Sequence, residues 1–283
     1  MQNVAGVVIL YFPDKTIVEN ITSYSDKLGK LYIIDNSPQK TKLVQALSAN
    51  PDIMYVHDGE NKGIAKRLND AAKLAIKDGF EWLLTMDQDS YFDKKNIDKY
   101  FNYVSNYEHR SMTAMFGVEF ETQKTAPEKP EEVSYLITSG SMLNLRLFHE
   151  VGQFDEQLFI DEVDLEYCFR AITKGFSVIK LPFIFLTHHL GEEDTYISLK
   201  NLKKTRRALH SSLRIYYMVR NYLYVREKYP QQFLSEDKER RITLLNRIKN
   251  KLLYGNEKVA TISMIFRAFR DFKAKRMGKK EGG

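Results

Sequence analysis

The segment Val4–Leu10 (VAGVVIL) is an unbroken apolar run of strand length, and it constrains the fold more than any other part of the chain. A strand with no polar face has to be covered on both sides, as inside a parallel sheet with helices above and below it. Leu31–Ile34 (LYII), Asp52–Val56 (DIMYV) and Phe80–Met86 (FEWLLTM) repeat the signal. Helical patterns fall between them at Ile17–Leu28, Thr41–Leu47 and Ile64–Asp78. In the last of these, Ile64, Leu68, Ala71, Ala72, Ala75 and Ile76 share one face, and Gly79 follows as a C-cap. Strands separated by helices predict an α/β fold with a mostly parallel sheet flanked by helices.

Further along, Tyr135–Asn144 reads as a strand interrupted by glycine, Phe159–Lys174 as an amphipathic helix stopped by Gly175, and Phe176–Leu181 as another strand. Glu119–Glu132 is a polar loop. From Leu202 onwards the pattern is helical. Charge divides the chain at the same place. Residues 1–200 hold 21 Lys and Arg against 30 Asp and Glu, whereas residues 201–283 hold 22 against 7. An acidic body suits cations, and a basic tail suits anions. With 43% hydrophobic residues in 283, a sizeable core is expected. No apolar run has the length of a membrane span. The lone Cys168 and the absence of a basic, apolar leader fit a cytoplasmic protein.

In open parallel sheets, ligands sit beyond the carboxyl ends of the strands. Here those ends run into Tyr11, Asp35-Asn36-Ser37, His57-Asp58 and Asp87-Gln88-Asp89. Any one of these is an ordinary polar turn, but together they place acidic and aromatic groups on one edge. Two carboxylates two residues apart suit Mg²⁺ or Mn²⁺, which often takes only one or two protein carboxylates when it bridges to phosphates. Neither the dinucleotide glycine fingerprint nor the P-loop is present, which argues against those two nucleotide-binding classes. No nucleic-acid reading motif occurs either, so nucleic acid is not an expected partner.

The segments VVILYFPD, YIIDNS, NKGIAKRLNDA, LLTMDQDS, SGSMLN, VGQFDEQLFIDEVDLEYCFRAITKG and THHLGE, with the His210–Asn221 block, occur in one order along residues 4–225. In this the chain resembles the family-2 glycosyltransferases of the GT-A fold, and within them a bacterial rhamnosyltransferase-like branch. The resemblance implies a GT-A (Rossmann-like) catalytic domain over residues 1–200. Its nucleotide-sugar half would cover about 1–110 and its acceptor half about 111–200, with a helical basic region at 201–283. It implies that Tyr11 lies against the nucleobase and that Asp35 accepts the imide N–H of the base. Gly63 would admit the nucleotide, with Asn69 supporting that corner. Many relatives carry Arg where this chain has Leu68, leaving Lys66 or Arg67 as substitutes. Asp89 would be the main metal carboxylate, with Asp87 nearer the ribose or a metal-bound water, and His188 would complete the metal shell. Asp164 would be the base in an inverting transfer, with Asp161 as second candidate one helical turn earlier. Arg220 would bind a donor phosphate.

The resemblance favours dTDP-L-rhamnose as donor and a glycan, or a lipid-linked glycan of a bacterial surface polysaccharide, as acceptor. The alternatives are a UDP-hexose donor or a non-catalytic nucleotide-sugar-binding protein of the same fold. In the tail, Ile242, Leu245, Ile248, Leu252 and Leu253, and then Ile262, Ile265, Phe266, Phe269 and Phe272, form apolar stripes among cations. Such stripes over residues 240–276 suit an anionic membrane surface, which predicts peripheral attachment to the inner face of the cytoplasmic membrane; packing within the protein is the plainer alternative.

Overall fold

The apolar runs identified in the sequence become adjacent strands of one sheet. The computed structural model describes residues 3–120, 127–188, 194–197, 204–207 and 209–282. Within it the chain forms two compact units, one of residues 1–159 with 163–189 and the other of residues 160–162 with 190–283.

The first unit opens with β1 (Val4–Leu10), α1 (Ile17–Ser25), β2 (Lys30–Asp35), β3 (Ile53–His57), α2 (Ile64–Lys77) and β4 (Trp82–Asp87). A short β5 (Ser90–Tyr91), α3 (Lys94–Asn106), β6 (Thr113–Phe120), β7 (Glu131–Glu132) and β8 (Ser141–Asn144) follow. The unit closes with α4 (Phe148–Val151), α5 (Val163–Thr173) and β9 (Ser177–His188). The sheet order is β3-β2-β1-β4-β8-β6-β9-β5, with β7 beside β9. The first four strands are parallel, β8 lies antiparallel between β4 and β6, and β6 pairs with β9 in parallel.

Register fixes the functional edge. Leu10 pairs with Asp35, Ile9 with Asp87 and Asp35 with His57, so the polar strand ends of the sequence are neighbours in space. Because β8 runs the other way, its first residue Ser141 pairs with Thr85 and brings its leading turn to the same edge. Side chains alternate across a strand. Val4, Val8 and Leu10 join a core with Ile21 and Tyr24 of α1 and with Ile97, Tyr100 and Phe101 of α3. The alternate residues Ala5 and Val7 are equally buried, and α2 packs on β1, β2 and β4.

Three local expectations change. The stretch Thr41–Leu47 holds no α-helix; a short 3₁₀ segment covers Gln45–Ala49 instead. Only Ser141–Asn144 of the expected Tyr135–Asn144 strand joins the sheet. The helix expected from Phe159 begins at Val163. Phe159, Asp161 and Glu162 all have left-handed φ, at 57°, 67° and 64°, and a right-handed helix cannot pass through such residues.

The second unit contains a hairpin of β10 (Asp194–Ile197) and β11 (Lys204–Arg207), then α6 (Ser212–Lys228), α7 (Leu234–Tyr254) and α8 (Lys258–Lys273). The region after Leu202 is therefore not wholly helical. Helix α6 is the centre of this unit, with Ile215, Tyr216, Val219, Tyr222 and Val225 buried, and both later helices pack on it. The apolar stripes of α7 and α8 are only partly covered, since Ile242, Leu245, Leu253, Ile262, Phe266 and Phe269 remain exposed. No helix among the described residues is long and apolar enough to cross a membrane.

One buried charge ties the first unit's edge together. Arg67 of α2 donates to both carboxylate oxygens of Asp58, at 3.0 and 2.5 Å, to Asn36 Oδ1 at 2.7 Å and to the Glu60 carbonyl at 2.8 Å. The guanidinium holds the Asp58 carboxyl well below the usual carboxylate range. Asp58 is one-third exposed, so solvent screens part of the pairing energy. Asp58→Asn is expected to reduce unfolding free energy by about 1–2 kcal/mol at neutral pH. A depressed native pKa gives stability that is complete above the unfolded carboxylate range near pH 4 and is lost as the pH falls towards the native value. Urea unfolding of wild type and variant should therefore differ at pH 7, and the difference should narrow progressively as the pH falls below about 4.

Candidate active site

The site is assembled on the carboxyl edge of β1, β2 and β4. Tyr11 and Phe12 leave β1 as an edge-to-face pair with ring centroids 4.6 Å apart. They are 47% and 65% exposed, an unusual state for two large apolar rings at the end of a buried strand. Gln88 holds Tyr11 in place, with its Oε1 accepting from Tyr11 N at 2.8 Å and its Nε2 donating to Tyr11 O at 3.2 Å. Phe12, with φ 47°, donates its N–H to Ser37 Oγ at 2.8 Å. The aromatic pair is thus tied by backbone bonds to the ends of both β2 and β4.

Asp35 does something other than expected. It is fully buried, with Oδ1 accepting from Ser37 N at 2.9 Å and Oδ2 accepting from Tyr55 OH at 2.6 Å and Thr41 N at 3.2 Å. Enclosed in this way, it shapes the loop after β2 and offers no surface to a base. Gly63 is likewise explained by the chain itself. It begins α2 with φ 83°, and a Cβ there would lie 2.5 Å from the Phe159 ring and the Phe159 carbonyl oxygen. The close approach at Gly63 is that of Phe159, whose carbonyl also accepts from Ile64 N at 2.7 Å. Asn69 is a buried brace, donating to Phe154 O and Glu156 Oε1 and accepting from Phe154 N. Arg67 is committed to Asp58 and Asn36, and Lys66 to Asp70 at 2.5 Å.

The acidic pair sits where β4 ends. Asp87 is exposed, with its backbone N–H donated to Ser139 Oγ at 3.3 Å. Asp89 and His188 meet across the β5–β9 pairing, with Asp89 Oδ1 lying 3.3 Å from His188 Nδ1. His188 Nδ1 also lies 2.9 Å from Ser90 Oγ, which accepts from Ser139 Oγ at 2.9 Å. Asp89 Oδ1 makes no well-formed hydrogen bond and has the His188 imidazole beside it, while the Asp89 side chain as a whole is 43% exposed. Carboxylate oxygens with one imidazole suit a hard divalent ion that takes its remaining ligands from a diphosphate. Among the described residues, no cluster of three or more His, Cys, Asp or Glu forms a self-sufficient metal cage. His189 and the residues to Glu193 lie outside the described part.

Asp164 opens α5 and joins this network through one turn. Its Oδ2 accepts from Thr138 N at 3.2 Å and its Oδ1 from Leu165 N at 2.9 Å, while the side chain keeps part of its surface exposed. Thr138 and Ser139 are adjacent, so this turn links Asp164 to Asp87, Ser90 and His188. Gly140 within it has φ 73°, and a Cβ there would come within 2.8 Å of Val118 and Leu186. The sequence singled out the surrounding SGSMLN string but gave Ser139 no role; its signal was a small polar residue just ahead of a buried strand.

Asp161 and Arg220 are not part of this assembly. Asp161 lies outside α5 and is held by Arg214 through two contacts of 2.7 and 2.6 Å, so it is not on the same helix face as Asp164. Glu162 pairs with Arg240 at 2.7 Å, and Glu166 is buried against Arg170. Arg220 is fully buried within the helical unit. Its guanidinium donates to Tyr216 OH, Asn221 Oδ1, Arg276 O and Gly278 O and lies 5.1 Å from the Tyr216 and Tyr217 ring centroids. Its donors are taken by protein acceptors, not left for a donor phosphate.

A mostly parallel sheet joined to antiparallel β8, with an acidic pair beyond its central strand, is the architecture of the GT-A glycosyltransferases. The chain belongs to glycosyl transferase family 2, whose model matches residues 7–154. It is 29% identical over 252 residues to a dTDP-rhamnosyl transferase, RfbF, of Shigella flexneri, covering 82% of this chain and 83% of that one. Among solved structures it is similar to S. aureus TarS in complex with UDP-GlcNAc, at a TM-score of 0.57 and 14% identity over 96% of this chain and 80% of that one. The GalNAc-T7 structure with UDP, GalNAc and Mn²⁺ gives a TM-score of 0.62 at 12% identity, covering 97% of this chain and 56% of that one. A longer TarS chain gives 0.59 at 15% identity over 96% of this chain, which spans 48% of its length. At these identities the solved structures establish the fold.

The packing at Gly63 yields a direct test. Gly63→Ala places a side chain in left-handed backbone and against Phe159, and is expected to destabilise the protein by about 2–4 kcal/mol. Adding Phe159→Leu removes the ring and should recover part of that loss. Urea midpoints of the single and double variants check it; a single variant as stable as wild type would contradict the packing.

Proposed function

We propose that this protein is an inverting, metal-dependent glycosyltransferase that moves L-rhamnose from dTDP-rhamnose to a glycan acceptor of a bacterial surface polysaccharide. The observation that carries the reading is the Thr138-Ser139 turn, which joins a partly exposed carboxylate at a helix start to an acidic pair and a histidine at strand ends. The relation to a dTDP-rhamnosyl transferase supports the choice of donor.

In this reading Tyr11 and Phe12 offer the nucleobase a ring surface, and the buried Asp35 keeps the loop beside it in shape. Asp89 with His188 would hold Mg²⁺ or Mn²⁺, and Asp87 would lie nearer the ribose or a metal-bound water. When bound, the ion neutralises charge on the leaving diphosphate. Asp164 takes the proton of an acceptor hydroxyl as its oxygen forms a bond to the anomeric carbon. The bond from that carbon to the diphosphate oxygen breaks with its electron pair leaving on the nucleoside diphosphate. Attack from the face opposite the leaving group inverts the configuration. Asp161, already paired with Arg214, is poorly placed to take a proton.

The exposed apolar residues of α7 and α8 support peripheral attachment to an anionic membrane, where a lipid-linked acceptor would be met. Val259 and Phe266 are 83% and 71% exposed on a surface rich in Lys and Arg.

The decisive experiment follows nucleoside diphosphate release from dTDP-rhamnose with acceptor and Mn²⁺, set beside a UDP-hexose donor. Asp164→Asn is expected to leave donor affinity intact and lower kcat by about 100- to 10,000-fold, because an amide keeps the shape but takes no proton. Asp89→Ala is expected to abolish the Mn²⁺-dependent rise in melting temperature that the donor produces. Full turnover in either variant overturns the corresponding role. For the membrane reading, Phe266→Ser with Phe269→Ser should reduce sedimentation with anionic vesicles.

A further inference from the structure

The helical unit contains a cavity of about 680 Å³ that the proposed transfer chemistry does not use. It is lined by seven cationic side chains, including Arg267, Arg270, Lys275, Arg276 and Lys279, against two carboxylates. Asp271 is the hub, accepting from Arg276 Nε at 3.0 Å, Arg276 Nη2 at 2.8 Å and Tyr216 OH at 3.0 Å. Arg267 and Arg270 stand further from the same carboxylate, at 3.5 and 3.8 Å. Asp271 is shared among three guanidinium groups, and of these only Arg276 hydrogen-bonds to it. Seven cations facing one space with two carboxylates leave an excess of positive charge there, which attracts an anion.

The backbone that carries these cations is fixed. Arg220 holds the carbonyls of Arg276 and Gly278, and Lys280 N donates to Tyr217 OH at 2.9 Å, so the returning C-terminal segment is fastened to α6. The backbone positions from which these cations project are thereby held around one space. Guanidinium groups favour planar, multi-oxygen anions bound through paired N–H donors, which describes a phosphate. The volume exceeds that of one phosphate and leaves room for a second or for an attached group.

We propose that this cavity binds a phosphomonoester or diphosphate group, carried either by a lipid or by a soluble molecule. The site lies wholly in the helical unit and stands whether or not the sugar transfer proposed above is correct.

Calorimetric titration of the full chain with inorganic diphosphate, in EDTA so that no metal-bridged binding contributes, tests the cavity directly. Arg270→Glu with Lys279→Glu changes exposed lining residues, whereas Lys249→Glu with Lys258→Glu makes the same change of net charge outside the cavity. Wild type and the outside pair are expected to bind alike, with the lining pair at least tenfold weaker. No binding by wild type, or equal weakening in both pairs, overturns the proposal. Lys275→Glu gives a second lining variant should the first fail to fold. Flotation with phosphatidylcholine vesicles containing phosphatidic acid, compared with the same fraction of phosphatidylglycerol, separates the sources. Preference for the phosphomonoester lipid, lost in the lining pair, assigns a lipid ligand; diphosphate binding without that preference assigns a soluble one.

Discussion

Thr85, in the middle of β4, fixes the arrangement on which the site depends. Its hydroxyl donates towards the carbonyls of Thr138 and Ser141, and its own carbonyl accepts from Gly140 N at 2.8 Å. The turn ahead of β8 is thereby pinned to a fully buried strand. From that turn Thr138 reaches Asp164, and Ser139 reaches both Asp87 and Ser90. A hydroxyl inside a strand of otherwise apolar residues is tolerated because these bonds satisfy it. The positions of four polar groups on β4, β5, β9 and α5 are therefore set by rigid elements, which matters wherever small displacements cost rate.

A second theme is the separation of scaffold polarity from exposed chemistry. Asp35, Asn36, Arg67 and Asn69 are all buried and bonded to backbone or to one another. They hold the loops after β2 and β3 and the start of α2. What they leave outward is the aromatic pair and the acidic pair. The buried polar groups shape the surface, and the exposed groups at this edge are few.

The sheet was legible because strands covered on both faces leave continuous apolar runs, and the register of β1, β2 and β4 then brings their polar ends together without further information. The places of Asp87, Asp89, His188 and Asp164 in the fold were legible for the same reason, since each lies near the end of a strong periodic signal. The packing at other positions depends on contacts distant in sequence. Nothing near Gly63 announces Phe159, and nothing near Arg220 announces the carbonyls of 276 and 278. The start of α5 was misplaced because FIDEVDLE has good helical amphipathicity, while three left-handed residues, set by tertiary context, break it. The strand Lys204–Arg207 has too polar a sequence to signal itself.

Those left-handed residues also bear on separability. Ile160–Glu162 belongs by its contacts to the helical unit, although the chain on either side belongs to the sheet. Asp161 and Glu162 find their counter-charges on α6 and α7, and Asn221 of α6 donates to the carbonyls of Ile160 and Asp161. The helical region is therefore not an appendage that can be exchanged at a single junction. A chimera that grafts these helices onto a related sheet must replace three residues in the middle of the recipient as well, or it leaves Arg214, Arg240 and Asn221 without the carboxylates and carbonyls that answer them.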